Sequence, residues 1–180
     1  MNIGLTQRIL SYNDISYDSI EHGWYTFLNK HELTFVSNRL DQEFDAMANQ
    51  LDALIITGGD DSPLRRVVET KLAAQMLAKQ KPIIGICHGC FLLTTLLGGE
   101  VGEIENHHGV DHAVTYNGQE YTVNSYHSLC VNKPPPSAIS LAQDGDCCEA
   151  WIDGKIAGVV WHPERMMNPW LPPEIESLLT

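Results

Sequence analysis

Cys87 stands in Gly85-Ile86-Cys87-His88-Gly89, a thiol with a glycine two places to either side. The apolar run Pro82 to Ile86 before it has the length and β-branching of a covered strand. Cys90 to Leu97 after it has the leucine and threonine content of a buried helix, closed by Gly98-Gly99. Only a sharp turn joins the two. In a nucleophile elbow the turning residue takes a strained backbone conformation, and flanking glycines let neighbouring chain pass close. The thiol would then project from the C-terminal edge of a sheet at a helix N-terminus, whose positive end favours thiolate over thiol. A buried structural cysteine in a tight turn fits the same pentapeptide.

An attacking thiolate needs a base, and the base needs an orienting carboxylate. Trp161-His162-Pro163-Glu164 supplies both, directly after the apolar strand Ile156 to Val160. His162 would therefore also stand at a strand end, where open α/β sheets form their crevices. Taken alone, His-Pro-Glu also describes a surface turn. Gly58-Gly59, after the apolar run Ala53 to Thr57, could turn a backbone N–H at Gly59 toward a developing oxyanion, with the N–H of His88 as partner. A plain turn is the alternative there.

The elements that must position these residues alternate. Asn2 to Thr6 reads as a strand, Tyr17 to Asn29 as a helix with Ile20, Trp24, Phe27 and Leu28 on one face, and Leu33 to Val36 as a strand. Phe44, Met47 and Leu51 mark a short helix, and Leu64 to Lys79 a long one with a stripe through Val67, Val68, Leu72 and Met76. The pattern predicts an α/β fold with a mostly parallel central sheet and helices on both faces. Beyond Gly99 the texture changes to β-hairpins turned at Asn117-Gly118 and Asp153-Gly154. Pro134-Pro135-Pro136 marks a rigid loop, and Pro172 to Leu179 a final short helix. With no linker, repeat or low-complexity tract, the expectation is one domain over residues 1–180.

An apolar fraction of 43%, no apolar run of membrane-spanning length and no charged leader at the N-terminus predict a cytoplasmic protein without a membrane partner. Five cysteines, an odd number without a regular framework, suit a reducing compartment better than a disulfide scaffold, with Cys147-Cys148 read as structural. A net charge of −12 argues against a nucleic-acid partner, which needs a basic surface. Homo-oligomerisation is left open.

The strand ending in Thr-Gly-Gly, the Gly-Ile-Cys-His-Gly turn and the late Trp-His-Pro-Glu resemble, in order and spacing, the class I glutamine amidotransferase-like superfamily, whose fold is flavodoxin-like. The resemblance spans essentially the whole chain. It implies a Cys-His-Glu triad of Cys87, His162 and Glu164 that attacks a γ-glutamyl carbonyl, forms a glutamyl thioester and releases glutamate to water. It also implies that Ser128 and Leu129, in Asn124-Ser-Tyr-His-Ser-Leu129, hold the glutamyl α-carboxylate through backbone amides. The chain departs from the family at Phe91, where many members carry a glutamine that helps hold the glutamyl moiety.

Thr6-Gln7-Arg8, Glu21 and Trp24, Gly-Gly-Asp-Asp and Trp-His-Pro-Glu-Arg165 resemble the γ-glutamyl hydrolase branch. That implies a small-molecule γ-glutamyl substrate whose amine half is a nucleotide-linked phosphoramidate, a cytidine diphosphate derivative. The alternatives are a glutaminase subunit that supplies ammonia to a synthase, a hydrolase of γ-glutamyl-γ-aminobutyrate type, and a non-enzymatic protein whose cysteine senses oxidation. An anionic substrate would need a local cationic pocket. Arg8, after the first strand, is the main candidate for it; Arg65, Arg66 and Arg165 flank the same loops, with Arg65 and Arg66 read as solvated helix arginines. Glu105-Asn106-His107-His108-Gly109 with Asp111 and His112 could be read as a metal site. It lacks regular ligand spacing and is read instead as a substrate-contacting loop, with Asn106 and His127 as contacts. No cofactor and no metal are expected.

Overall fold

The computed structural model describes residues 1–105 and 107–180. Its first half runs β1 (Asn2–Thr6), β2 (Arg8–Tyr12), β3 (Ile15–Ser19), α1 (Gly23–Phe27), β4 (Glu32–Val36), α2 (Phe44–Gln50), β5 (Ala53–Ile56), α3 (Pro63–Ala78), β6 (Ile83–Ile86) and α4 (His88–Leu96). The second half runs β7 (Glu100–Glu103), β8 (His108–Tyr116), β9 (Gln119–Tyr126), β10 (Leu129–Lys133), β11 (Ile139–Asp144), β12 (Cys147–Asp153), β13 (Ile156–Val159) and α5 (Pro173–Glu176).

One mixed sheet joins the halves in the order β4-β1-β5-β6-β13-β12-β11-β8-β9, with β10 branching from β12 to pair with β7. The first five strands are parallel. Every residue of β5 and β6 is buried, as a parallel sheet covered on both faces requires of such aliphatic strands. From β13 outward the pairing turns antiparallel, because residues 153–155 turn the chain directly back whereas parallel neighbours need long crossovers. Helix α3 begins where Ser62 caps the Arg65 N–H and Pro63 opens the first turn. It buries Val68, Leu72 and Met76 but leaves Val67 exposed. The Asn117-Gly118 hairpin turns with positive φ at both residues, as its sequence predicts.

Three expectations are corrected. The segment read as a helix over Tyr17 to Asn29 is mostly not one: Ile15–Ser19 is β3, paired with β2 across an Asn13-Asp14 turn whose residues both have positive φ, and only Gly23–Phe27 is helical. Asn and Asp tolerate that left-handed region, which makes the pair a hairpin signal like the two that the sequence makes plain. Strands β7 and β10 went unanticipated because they are short and pair with each other across more than twenty residues, and β11, which pairs with β12 across Gly145-Asp146, was missed as a hairpin. Against the expectation of reduced cysteines, Cys130 and Cys147 form a disulfide, the antiparallel β10–β12 pair having brought their Cα atoms to 5.7 Å; Cys87, Cys90 and Cys148 are free thiols. Among the described residues no helix is long and apolar enough to cross a membrane.

Two glycines set how closely α4 packs on the sheet. A Cβ at Gly89 would lie 2.1 Å from the Ile56 carbonyl oxygen, and one at Gly85 would lie 2.4 Å from the Gly89 carbonyl. Gly89→Ala is therefore expected to lower stability by about 3 kcal/mol or more through overpacking against backbone. Urea unfolding monitored by tryptophan fluorescence checks this, and an unchanged midpoint would mean that the β5–α4 contact has slack.

Candidate active site

Cys87 joins β6 to α4 with φ 49° and ψ −103°, a left-handed setting that stores strain and exposes the side chain at the turn. Its N–H donates to the Val159 carbonyl at 2.8 Å, so the β6–β13 ladder runs up to Cys87 itself. Three residues beyond Val159 stands His162. Cysteine and imidazole thus leave adjacent parallel strands at the same edge, as the crevice argument expects.

The imidazole is fixed from several sides. His162 Nδ1 faces Glu164 Oε1 at 2.7 Å across Pro163, leaving Nε2 as the nitrogen free for the thiol. The Asn124 side chain clamps the His162 backbone twice, accepting from its N–H at 2.9 Å and donating to its carbonyl at 2.8 Å. Gly58 lies flat against the ring, where a Cβ would come within 2.4 Å of Cε1. The Tyr126 ring packs edge-on at 5.6 Å, and the Arg165 guanidinium covers Tyr126 at 4.6 Å. Burial works against a charge on His162. Hydrogen bonding and Coulombic attraction from Cys87 and Glu164 outweigh it and push its pKa up to about 9. The geometry is that of a buried imidazole held charged by a carboxylate and standing next to a thiol.

A second ionic network carries the loop opposite. Arg65 is fully buried, not the solvated helix arginine that its sequence position suggests. Its guanidinium pairs with Glu69 at 2.8 Å and donates to the carbonyls of Thr57, Gly58 and Asp60. Glu69 also accepts from Thr6 Oγ1 at 2.7 Å and meets His88 Nε2 at 2.8 Å. Burial pushes the Glu69 carboxyl up, but His88, Arg65 and Thr6 together hold it below its ordinary value, hence ionised. The network links the Gly58-Gly59 loop to the start of α4. Gly59 takes φ +112°, and a Cβ there would strike Arg8 Cδ at 2.9 Å.

Cys87, Gly59, His88, Phe91, Ser128 and Leu129 all line one pocket of about 570 Å³. His88 is the first residue of α4, so its backbone N–H has no partner within the helix. Phe91, one turn along α4, puts an aromatic ring where an amide-bearing side chain would otherwise reach the pocket. Arg8 is directed elsewhere: it pairs with Glu21 at 2.8 Å, and Glu21 is shared with Arg165. Burial raises the Glu21 carboxyl, but Arg165, Arg8 and His162 hold it below its ordinary value. Arg66 instead stands at the pocket rim, paired with Asp61 and beside Asp60. His127 borders the pocket, yet its side chain is buried, with Nδ1 donating to the Leu129 carbonyl and Nε2 turned toward Glu149. Asn106 lies outside the described residues. From sequence, Asn124 and Glu21 stand only within resembling segments and have no role assigned, Arg65 reads as solvated, and Glu69 is not singled out. The i, i+4 spacing of Arg65 and Glu69 on a predicted helix is the one local signal for any of them.

The chain matches the family model described as glutamine amidotransferase class-I over residues 16–176. It is 25% identical to the γ-glutamyl-CDP-amidate hydrolase of Campylobacter jejuni over 183 residues, covering 92% of this chain and 90% of that protein. To anthranilate synthase component 2 of Thermococcus kodakarensis it is 30% identical over 131 residues, covering 66% of this chain and 68% of that protein. Its fold is similar to the solved structure of a glutamine amidotransferase from Thermotoga maritima, with a TM-score of 0.70 at 17% identity, covering 91% of this chain and 76% of that one.

The raised His162 pKa carries a sign. A group whose folded pKa exceeds its ordinary 6.5 adds stability that is fully present below that value and lost as pH rises through about 9. The stability difference between wild type and His162→Gln should therefore shrink by up to about 3 kcal/mol between about pH 6.5 and pH 9. Urea unfolding across that range reads it, and a difference independent of pH would remove the charged pair.

Proposed function

The chain belongs to the class I glutamine amidotransferase family, and on that premise we propose that it is a cysteine hydrolase of γ-glutamyl amides, with Cys87 as nucleophile, His162 as acid and base, and Glu164 as orienting carboxylate. The observation that carries this is the strained Cys87 on the pocket wall, beside an imidazole that Glu164 holds at 2.7 Å. The thiolate attacks the γ-carbonyl carbon, and the oxygen takes the negative charge beside the backbone N–H groups of Gly59 and His88. As the tetrahedral adduct collapses, the C–N bond breaks and the His162 imidazolium passes its proton to the leaving nitrogen. A water molecule, deprotonated by His162, then attacks the thioester and releases glutamate and the thiolate. Ser128 and Leu129 would hold the glutamyl α-carboxylate through backbone amides, with Phe91 replacing an amide contact by an apolar wall.

For the amine half, the reading is the cytidine diphosphoramidate of γ-glutamyl-CDP-amidate. It is supported by similarity to the Campylobacter jejuni hydrolase along nine-tenths of both chains. Arg66, whose partner Asp61 is itself half-exposed, is the side chain at the rim that can turn to a diphosphate, which arginine suits by its forked donors. A second reading, a glutaminase subunit that passes ammonia to a synthase, is supported by similarity to anthranilate synthase component 2.

Purified protein alone is expected to release glutamate from γ-glutamyl-CDP-amidate faster than from glutamine or γ-glutamyl-γ-aminobutyrate, and Cys87→Ala to lower the rate by about 10³-fold or more with the fold retained. Turnover that survives Cys87→Ala would refute the nucleophile. Glutamine as the preferred substrate, with a rate that rises on adding a copurifying synthase, would favour the second reading.

A further inference from the structure

Behind the wall formed by Tyr126 to Leu129, five side chains from separate parts of the second half converge. His112 comes from β8, His107 from the residue before it, His127 from the β9–β10 connection, Asp144 from the end of β11 and Glu149 from β12. We propose that these five form a binding site for one divalent first-row transition-metal ion. The site is independent of the hydrolase reading.

Glu149 is the reason to look here. Its side chain is fully buried, and among the described residues neither carboxylate oxygen has a hydrogen-bond partner. An ionised carboxylate left so would cost several kcal/mol. Its Oε2 lies 3.5 Å from His112 Nε2 and 3.9 Å from His127 Nε2, too long for good hydrogen bonds. The shorter spacing is that expected around a shared ion, since with ligand bonds near 2.0–2.2 Å neighbouring donors lie about 3.0–3.5 Å apart; the 3.9 Å spacing is a few tenths of an ångström longer. His107 Nε2 is hydrogen-bonded to Asp144 Oδ2 at 3.0 Å, a bond that an ion would replace, and one ligand atom each from His107, His112 and Asp144 falls within 4.8 Å of one another. The imidazole centroids are 4.8, 5.4 and 6.3 Å apart, so the three rings form one cluster.

The surroundings have the character of a second coordination shell. A metal-binding histidine characteristically donates its other ring N–H to a carbonyl or carboxylate. His127 does so, giving Nδ1–H to the Leu129 carbonyl at 2.7 Å and aiming a bare Nε2 at the cluster. The Ser125 hydroxyl holds the His107 carbonyl from below. Three imidazole nitrogens and two carboxylates, with no thiolate, suit zinc, cobalt, nickel, manganese or ferrous iron, and suit neither calcium nor cuprous ion. Local spacing around residues 105–112 cannot give such a set, because Asp144 and Glu149 arrive by strand pairing. With every position supplied by protein, the ion would be structural. It would tie β8, β11 and β12 to the 126–129 segment that bounds the pocket, where Phe91 packs on His127 at 6.1 Å.

The test is metal content of the purified full chain by plasma mass spectrometry, then Zn²⁺ titration of chelator-treated protein against a chromophoric competitor. About one equivalent per chain is expected, with affinity lowered about 100-fold or more in His112→Ala and in Glu149→Gln, beyond the cost of losing a second-shell partner. Cys87→Ala should bind as wild type does. Cobalt substitution of the wild type, which needs no variant to fold, should give d–d bands of a nitrogen and oxygen site without thiolate charge transfer. No competition for Zn²⁺, or binding lost in Cys87→Ala and kept in His112→Ala, would overturn the proposal.

Discussion

Holding a cysteine at φ 49° and ψ −103° costs on the order of 1–3 kcal/mol, and the packing on either side of Cys87 is what sustains it. Gly85 and Gly89 admit the backbone of the turn against itself and against Ile56. The Cys87 N–H is anchored on Val159, in the strand that carries His162. The strain therefore has a direction: relaxing the turn would pull α4 off β5 and uncouple the thiol from its base. Lying beside β6, β13 carries His162 to the same sheet edge as Cys87, and its other edge is taken by β12, the first of the antiparallel strands.

Around this turn, charge is arranged in two linked networks. Glu164 holds His162 at 2.7 Å and meets Arg165 only at 3.9 Å, while Glu21 gathers Arg8 and Arg165 behind it. Across the crevice, Arg65 and Glu69 sit in full burial because the guanidinium is also spent on three loop carbonyls and the carboxylate on Thr6 and His88. A buried pair of this kind gains little over an apolar substitute unless its remaining donors are satisfied, and here they are. Its contribution lies in fixing the Gly58-Gly59 loop, whose two glycines touch His162 on one side and Arg8 on the other.

Legibility in the sequence follows the range of the forces involved. The elbow is readable because its glycine spacing and its flanking apolar runs are local consequences of one strained turn. His162 and Glu164 are readable because a single proline fixes their relation. The hairpins at Asn117-Gly118 and Asp153-Gly154 declare themselves through turn chemistry. Arg8 is misjudged as a crevice residue because its partner, Glu21, lies beyond the unrecognised β2–β3 hairpin. Arg65 is misjudged because burial is a property of the packed α3, not of the helix pattern. Asn124, whose side chain holds the His162 backbone, is silent in sequence: nothing near residue 124 announces a contact with residue 162.

The short length of β13 has a bearing on how freely this scaffold can vary. Cys87 and His162 stand at one end of a four-residue strand, while at the Asp153-Gly154 bend at the other end a Cβ added to Gly154 would meet nothing within 4 Å. Chemistry and permissive surface are thus separated by the strand itself. Peptide tags, circular permutation or ancestral insertions at that bend would leave the reacting atoms in register, because main-chain pairing rather than loop shape meters their separation.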